Sequence, residues 1–138
     1  MRPAPERGYI MSVYTAILKP YDGGYTVEVP DVPGCVTGGE SVEDAVRMAR
    51  DALCGCLCVY EDERIPPPPS RLPADFTLQD GEIATLVDVD LDEYRRRTDY
   101  RAVRRNVSMP AWLSRLADQR GVNCSQVLQD ALRAMLGQ

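Results

Sequence analysis

The last third of the chain contains a strand and two helices that are too short to enclose a core by themselves. Residues 104–109 (RRNVSM) predict the strand, Pro110 can occupy the first turn of a helix, and Gly121 ends that helix. Asn123 predicts the N-cap of a second helix, with Gln126 placed to close a capping box. Because about thirty-five residues bury too little apolar surface, we expect this β-α-α segment to fold only as a homodimer.

Alternation along the predicted strand separates outward-facing from inward-facing side chains. In a dimer the two strands would pair as an antiparallel ribbon, which fits the DNA major groove. Arg104, Asn106 and Ser108 would then face base edges. The predicted dimer core consists of Val107, Met109, Leu113, Leu116, Val127, Leu128 and Leu132. A polar surface strand that does not touch DNA is the alternative.

A second set of residues is expected to contact phosphates. Arg105 occupies an inward position where the alternation calls for an apolar residue. Either the strand begins after Arg105, or the guanidinium of this residue reaches a phosphate. The exposed N–H groups at the start of the second helix favour anions. We therefore predict phosphate contacts from Arg105, Asn123, Cys124 and Ser125.

Charge is divided unevenly along the chain. Residues 1–94 carry seven basic and eighteen acidic side chains, net −11, whereas residues 95–138 carry nine arginines and three aspartates, net +6. An arginine-rich part attracts phosphate, while an acidic part repels nucleic acid and favours a basic protein. This division predicts two parts with different partners, although arginines that merely solvate a linker would give a similar count.

The acidic part begins with short strands. Two β-branched and aromatic runs, 12–19 and 25–29, flank a connection at 20–24, which predicts an antiparallel hairpin. A turn at 30–34 leads to a short third strand at 35–37. The glycine pair that follows is expected to close this section of sheet.

A capped amphipathic helix follows the third strand. Ser41 is a good N-cap, and the carboxylates of Glu43 and Asp44 complement the first turn. Apolar residues at helical spacing predict a helix of about five turns that packs on the sheet: Val42, Ala45, Val46, Ala49, Ala52, Leu53, Cys56, Leu57 and Tyr60. The proline run at 65–69 should end the helix and return the chain along the sheet edge.

A fourth strand is predicted at 82–89, followed by a short helical turn at 90–94. The order β-β-β-α-β is that of an α+β domain in which one helix covers one sheet face. We therefore divide the chain into a domain at 9–93, a linker at 94–102 and the β-α-α module at 103–138.

The acidic part resembles a known antitoxin family. The turn Asp31–Gly34 (DVPG), the Gly39–Ser41 cap and the helix with Glu43 and Ala45 are similar to the HicB-type antitoxins over residues 12–93. This resemblance implies a truncated, partial ribonuclease-H-like fold. It also implies that the domain masks a small RNA-cutting toxin of the HicA type and is not itself catalytic.

The basic part resembles a second group of proteins. Over residues 103–136 the succession of strand, proline, helix, glycine and capped helix is similar to the ribbon-helix-helix repressors. Several HicB-type antitoxins carry such a module after the masking domain. The resemblance implies a dimer that binds double-stranded DNA.

Cysteine and histidine content limits the available chemistry. Three of the five cysteines crowd one predicted helix, so we expect free thiols rather than a disulfide framework. Cys54 and Cys58 could supply two metal ligands, but without histidine or a CxxC pair no metal or cofactor is expected. The lack of histidine also excludes Ser-His and Cys-His nucleophiles.

Two rival functions remain open from the sequence. A Mg²⁺-dependent nuclease would need converging carboxylates, for which Asp22, Glu28, Asp31 and Asp51 are candidates. Their predicted positions in turns and on exposed faces favour solvated roles. The other rival is a stand-alone transcription regulator whose N-terminal domain senses a ligand or oligomerises.

The interpretation carried forward is an antitoxin without enzyme activity. Its N-terminal domain is expected to neutralise a small basic toxin, and its C-terminal homodimer to repress its own operon by binding an operator. Whether two dimers form a tetramer stays open. No apolar stretch is long enough for a membrane span and no secretory signal is visible, so a cytoplasmic location without a membrane partner is expected.

Overall fold

A computed structural model describes residues 11–138, which fall into two compact units, one up to Tyr100 and one from Arg101 onward. The first unit contains β1 (Met11–Tyr21), β2 (Gly24–Glu28), β3 (Val36–Gly39), α1 (Val42–Asp62), a 3₁₀ turn (Pro73–Asp75), β4 (Ile83–Asp90) and α2 (Leu91–Thr98). The second contains α3 (Ala111–Gln119) and α4 (Cys124–Leu136). This composition confirms the predicted α+β class, and the first unit follows the predicted β-β-β-α-β order.

The hairpin between β1 and β2 turns on only two residues, Asp22 and Gly23, whose φ angles are 48° and 80°. The prediction of a five-residue connection was wrong, because β1 continues through Pro20 and Tyr21, and β2 begins at Gly24. A two-residue turn makes Tyr21 and Gly24 a hydrogen-bonded pair. Alternation then points the nitrogen of Pro20 away from β2, so the strand tolerates a proline there.

The four strands form one antiparallel sheet in the order β3-β2-β1-β4. β3 runs two residues further than predicted, and the glycine pair expected to close the sheet pairs with Thr26 and Tyr25 of β2. β4 begins and ends one residue later than predicted. The sheet therefore ends in one short edge strand, β3, and one long edge strand, β4.

Helix α1 covers one face of the sheet. The Ser41 hydroxyl accepts a hydrogen bond from the Asp44 N–H at 3.1 Å, which confirms the predicted N-cap. The core beneath the helix is formed by Tyr14, Ala16, Leu18, Val27, Val87, Val89, Ala45, Ala49, Leu53, Cys54 and Leu57. The first two buried residues of α1 are Ala45 and Ala49, whose small side chains let the helix lie close to the strands.

The proline run leads into a segment that contacts the part of β1 extending beyond β2. The Tyr14 hydroxyl donates to the Pro68 carbonyl at 2.6 Å, and the buried Thr15 hydroxyl donates to the Arg71 carbonyl at 2.8 Å. Arg71 also donates to both carboxylate oxygens of Asp31, through its backbone N–H at 2.7 Å and its Nε at 2.8 Å. These bonds satisfy the buried threonine and hold an irregular segment in place.

Helix α2 occupies half of the predicted linker at 94–102. It begins after Asp90, whose side chain accepts from the Glu93 N–H at 3.1 Å, and it continues to Thr98. Arg95 holds it against α1, with its Nη2 2.9 Å from Asp62 Oδ1 and its Nε 3.1 Å from a Glu61 oxygen. The sequence predicted a linker at Arg95 because the acidic partners of this residue, Glu61 and Asp62, lie more than thirty residues earlier in the chain.

The second unit has two helices joined by a glycine turn. Pro110 is the N-cap residue of α3, and Gly121 follows its C-terminus with a φ of 64°. Asn123 caps α4, its side-chain oxygen accepting from the Gln126 N–H at 3.0 Å. The predicted capping box is not closed, because the Gln126 amide donates instead to Asp130 at 2.9 Å.

We predict that Gly39→Ala destabilises the first unit because it disturbs the contact between β3 and α1. A Cβ atom at this position would lie 2.5 Å from the Cα of Ala45 and 2.9 Å from the carbonyl carbon of Asp44, so backbone must move. We expect a loss of about 1–3 kcal/mol in the free energy of unfolding, measured by urea denaturation. Gly38→Ala is the control, since its Cβ would meet only the Tyr25 carbonyl oxygen, at 3.3 Å. Equal effects of the two changes would contradict this account.

Candidate functional site

The residues predicted to read DNA bases lie together on one exposed segment of the second unit. Arg104, Asn106 and Ser108 belong to residues 101–110, all of which are exposed and form no strand within the single chain. A ribbon strand needs a second strand to pair with, so this conformation neither supports nor contradicts the predicted ribbon. The base-reading assignment stays a prediction.

The residues predicted to form a dimer core carry apolar surface that the single chain leaves accessible. Leu116 and Leu128 are half-buried, whereas Val107, Met109, Leu113, Val127 and Leu132 are 41–56% exposed. Within this unit no residue of α3 or α4 is fully buried. The two helices therefore bury little of each other and leave several large apolar side chains accessible.

The predicted phosphate-binding residues lie at two places in the second unit. Arg105 is exposed on the segment that precedes α3, and Asn123, Cys124 and Ser125 form the exposed start of α4. The Asn123 side chain already accepts from the Gln126 N–H as the N-cap, which leaves the backbone N–H groups of Cys124 and Ser125 as the groups open to an anion. Phosphate contact at these residues stays a prediction.

The four carboxylates considered for a nuclease lie on separate elements of the first unit. Asp22 lies in the hairpin turn, and Glu28 of β2 pairs with Lys19 at 3.1 Å. Asp31 pairs with Arg71 at 2.7 Å, and Asp51 of α1 lies 3.8 Å from Arg97. Across residues 11–138, no group of three or more cysteine, aspartate or glutamate side chains is placed to hold a metal ion.

Arginine partners and backbone N–H groups lower the pKa of two carboxyl groups in the first unit. Hydrogen bonds from Arg71 lower the pKa of Asp31 below that of an ordinary carboxyl group. The Glu40 N–H and then Arg47 lower the pKa of Asp44 in the same way. Both groups are therefore ionised at neutral pH.

All five cysteines carry free thiols, as the sequence predicted. Burial, followed by the neighbouring Cys56, raises the pKa of Cys35 to about 12. Burial is likewise the main cause that raises the pKa of Cys54 to about 11. Thiols with such pKa values stay protonated at neutral pH and behave as small apolar core residues.

Sequence reasoning missed an open cleft of about 470 Å³ where the hairpin turn approaches the start of α1. Its lining contains two tyrosines, four glycines and three acidic residues, and no basic residue: Tyr21, Asp22, Gly23, Gly24, Tyr25, Gly38, Gly39, Glu40 and Asp44. The only available signal was the recurrence of glycine pairs beside acidic residues. These pairs are 15 positions apart in the chain, and the strand register brings them together.

None of the helices within residues 11–138 is both long and apolar enough to cross a bilayer.

Comparison with known sequences extends over both units. Residues 14–131 match the family described as "HicB_like antitoxin of bacterial toxin-antitoxin system". An uncharacterized 14.9 kDa protein of Haemophilus phage HP1 is 29% identical over 113 residues, 78% of this chain and 80% of that protein. Antitoxin HicB of Escherichia coli K12 is 41% identical over 61 residues, 43% of this chain and 44% of the antitoxin. The chain thus matches less than half the length of that antitoxin.

Two solved structures share the fold. A toxin-antitoxin complex from Streptococcus pneumoniae superposes with a TM-score of 0.57 at 22% identity, over 91% of this chain and 99% of that chain. The antitoxin HicB of Burkholderia pseudomallei superposes with a TM-score of 0.52 at 25% identity, over 88% and 96% of the two chains. Because the family match spans most of the sequence and the fold agrees, this chain belongs to the HicB-like antitoxin family of bacterial toxin-antitoxin systems.

Proposed function

We propose that this chain is an antitoxin with two separate tasks. Its acidic first unit binds and neutralises a small basic, mRNA-cleaving toxin of the HicA type. Its second unit pairs with that of another copy to form a ribbon-helix-helix dimer that represses the chain's own operon. The family match over residues 14–131, which includes parts of both units, is the observation that carries this proposal.

Charge supports the assignment of the toxin to the first unit. Residues 1–94 have a net charge of −11. A surface of this kind attracts a basic protein and repels RNA and DNA. Neutralisation by masking also needs no catalytic group in the antitoxin.

Accessible apolar surface supports dimerisation through the second unit. Leu113 and Leu132, one on each helix, are both more than 40% exposed, so an unpaired unit would leave them in water. Pairing with an identical unit would cover this surface and would give the segment at 103–109 a partner strand. The ribbon formed in this way would present Arg104, Asn106 and Ser108 to the major groove.

The rival functions have less support. A carboxylate nuclease needs groups that converge on Mg²⁺, whereas Asp22, Glu28, Asp31 and Asp51 lie on four different parts of the first unit, three of them beside a basic side chain. A stand-alone regulator would share the second unit but has no need of a strongly acidic first unit.

Co-expression with the neighbouring reading frame tests the central claim. We expect a small basic protein that arrests growth when produced alone, growth that recovers when this chain is produced with it, and co-purification of the two. A stand-alone regulator would neither rescue growth nor retain that protein. RNA cleavage by the purified chain that stops on addition of a chelator would instead favour the nuclease.

We predict that Leu132→Glu separates the two tasks. A charge on the apolar face of α4 should prevent dimerisation, because it would have to be buried without a partner. Sedimentation should then report a monomer, and operator binding should be lost while toxin capture remains. Gln126→Glu, on the side of the same helix opposite the apolar stripe, is the matched control and should leave the dimer intact. A dimeric Leu132→Glu variant would disprove the assigned core.

We predict that Asn106→Ala relaxes discrimination at one base pair of the operator. Loss of the amide contact should cost about 1–3 kcal/mol on the preferred sequence and little on a site altered at that base pair. Arg105→Ala should weaken binding to every sequence alike and lower the slope of log affinity against log salt by about one. Titrations at several salt concentrations separate the two effects. A uniform loss in Asn106→Ala would disprove base reading by this residue.

A further inference from the structure

The long edge strand β4 has an outer side on which the described residues place no neighbouring strand. Its residues pair with β1 in register, with Ala16 opposite Thr85 and Tyr14 opposite Val87. An edge of this length presents a row of backbone donors and acceptors, and most proteins cover or disrupt such a row. The two-residue turn between β1 and β2, together with the register of β1 with β4, determines which backbone groups of β4 face outward.

The two-residue turn makes Tyr21 and Gly24 a hydrogen-bonded pair, so alternate residues of β1, including Ile17, direct their backbone groups at β2. The residues between them direct theirs at β4. On β4 it follows that Ile83, Thr85 and Val87 bond to β1, whereas Ala84, Leu86 and Asp88 direct their N–H and carbonyl groups outward.

An independent contact agrees with this assignment. The Nε of Arg50 in α1 donates to the Asp88 carbonyl at 3.1 Å, and its Nη2 donates to the Asp88 carboxylate at 2.9 Å. The Asp88 side chain lies on the sheet face opposite α1, so the arginine reaches around the outer edge of the strand to make both bonds. Arg50 thus blocks the outer edge at Asp88, and no strand of the described residues pairs with the half of β4 from Ile83 to Leu86, although the 3₁₀ turn at Pro73–Asp75 lies near this strand.

The half of β4 from Ile83 to Leu86 combines backbone groups with apolar side chains. Ile83 is 38% exposed and Leu86 is 47% exposed, and the Leu86 carbonyl has only a long contact of 3.4 Å from the Thr85 hydroxyl. An added strand would bond to the outward groups and pack beside Leu86. Strand addition therefore fits this edge better than side-chain recognition alone.

Charge selects the kind of strand that can bind. Residues 72–94 contain seven acidic side chains and no lysine or arginine. A second copy of β4 paired antiparallel about Leu86, an outward-facing residue, would place Glu82 opposite Asp90 twice, and like charges opposite each other in a sheet are destabilising. The same acidic residues attract a basic strand.

We propose that the outer edge of β4, from Ile83 to Leu86, binds an extended strand of the basic toxin, which continues the sheet of the first unit. This inference rests on the proposed function, because it names the surface through which the antitoxin captures its partner. The toxin strand runs along this half of β4, and Arg50 sets the end of the paired region.

The decisive change is Leu86→Pro in the full-length chain. A proline there removes one outward N–H and keeps every hydrogen bond between β4 and β1, and the residue before it is already extended, as proline requires. Leu86→Thr is the matched control, since it shortens the same side chain but keeps the N–H. Both variants should keep the circular dichroism and operator binding of the unchanged protein.

The probe is the small basic protein that co-purifies with this chain when the neighbouring reading frame is co-expressed. We expect Leu86→Pro to weaken its capture about ten-fold or more, and Leu86→Thr to weaken it much less, because the lost contact is a main-chain hydrogen bond. In the unchanged complex, hydrogen exchange should slow at the amides of Ala84 and Leu86. This second measurement does not depend on whether the proline variant folds.

Three other outcomes would contradict either the binding edge or the proposed function. Equal capture by all three proteins, with no protection of Ala84 and Leu86, would overturn the edge assignment and leave the antitoxin function standing. A Leu86→Pro variant that changes its own oligomeric state but captures the toxin normally would place a second copy at the edge, which also overturns the inference. Failure of the unchanged chain to capture any such protein would contradict the proposed function and, with it, the occupant of this edge.

Discussion

Close contact between α1 and the sheet is the constraint on which the rest of the first unit depends. At its start the helix lies so near β3 that position 39 has no room for a Cβ atom, and the alanines at 45 and 49 are fully buried. One sheet face is sealed by this contact. Because the helix is 21 residues long, its far end extends to Glu61 and Asp62, the two carboxylates that hold Arg95 of α2.

Sequence patterns predicted those helices, caps and turns that depend on residues close together in the chain. The Ser41 cap, the apolar spacing of α1 and the glycine turn before Asn123 all involve residues within a few positions of one another, and each is present in the structure. Strand bounds at Pro20 and Gly39 were missed because register, rather than residue preference, decides where pairing stops. The sequence suggested a turn at each of these positions.

Features that depend on distant partners escaped sequence analysis. Arg95 belongs to a helix rather than a linker because Glu61 and Asp62 lie beside it in space, more than thirty residues earlier in the chain. Arg71 stands in an irregular segment where no periodicity predicts anything, yet it bonds Asp31 and accepts from Thr15. In the second unit, the residues at 104–108 that are predicted to read bases would need a second chain to form a ribbon, so a single copy does not give their arrangement.

The two units differ in how much apolar surface they bury, and this difference assigns a separate proposed function to each unit. The first unit buries a core of its own under α1 and leaves an edge of backbone groups, at which Leu86 is the most accessible apolar side chain of β4. The second unit has no buried residue in either helix and leaves side-chain surface instead. Apolar side-chain surface is best covered by an identical apolar surface, whereas an acidic edge is best covered by a basic strand. The proposed dimerisation and the proposed toxin capture therefore use different surfaces with different chemistry, so one would proceed without competing for the contacts of the other.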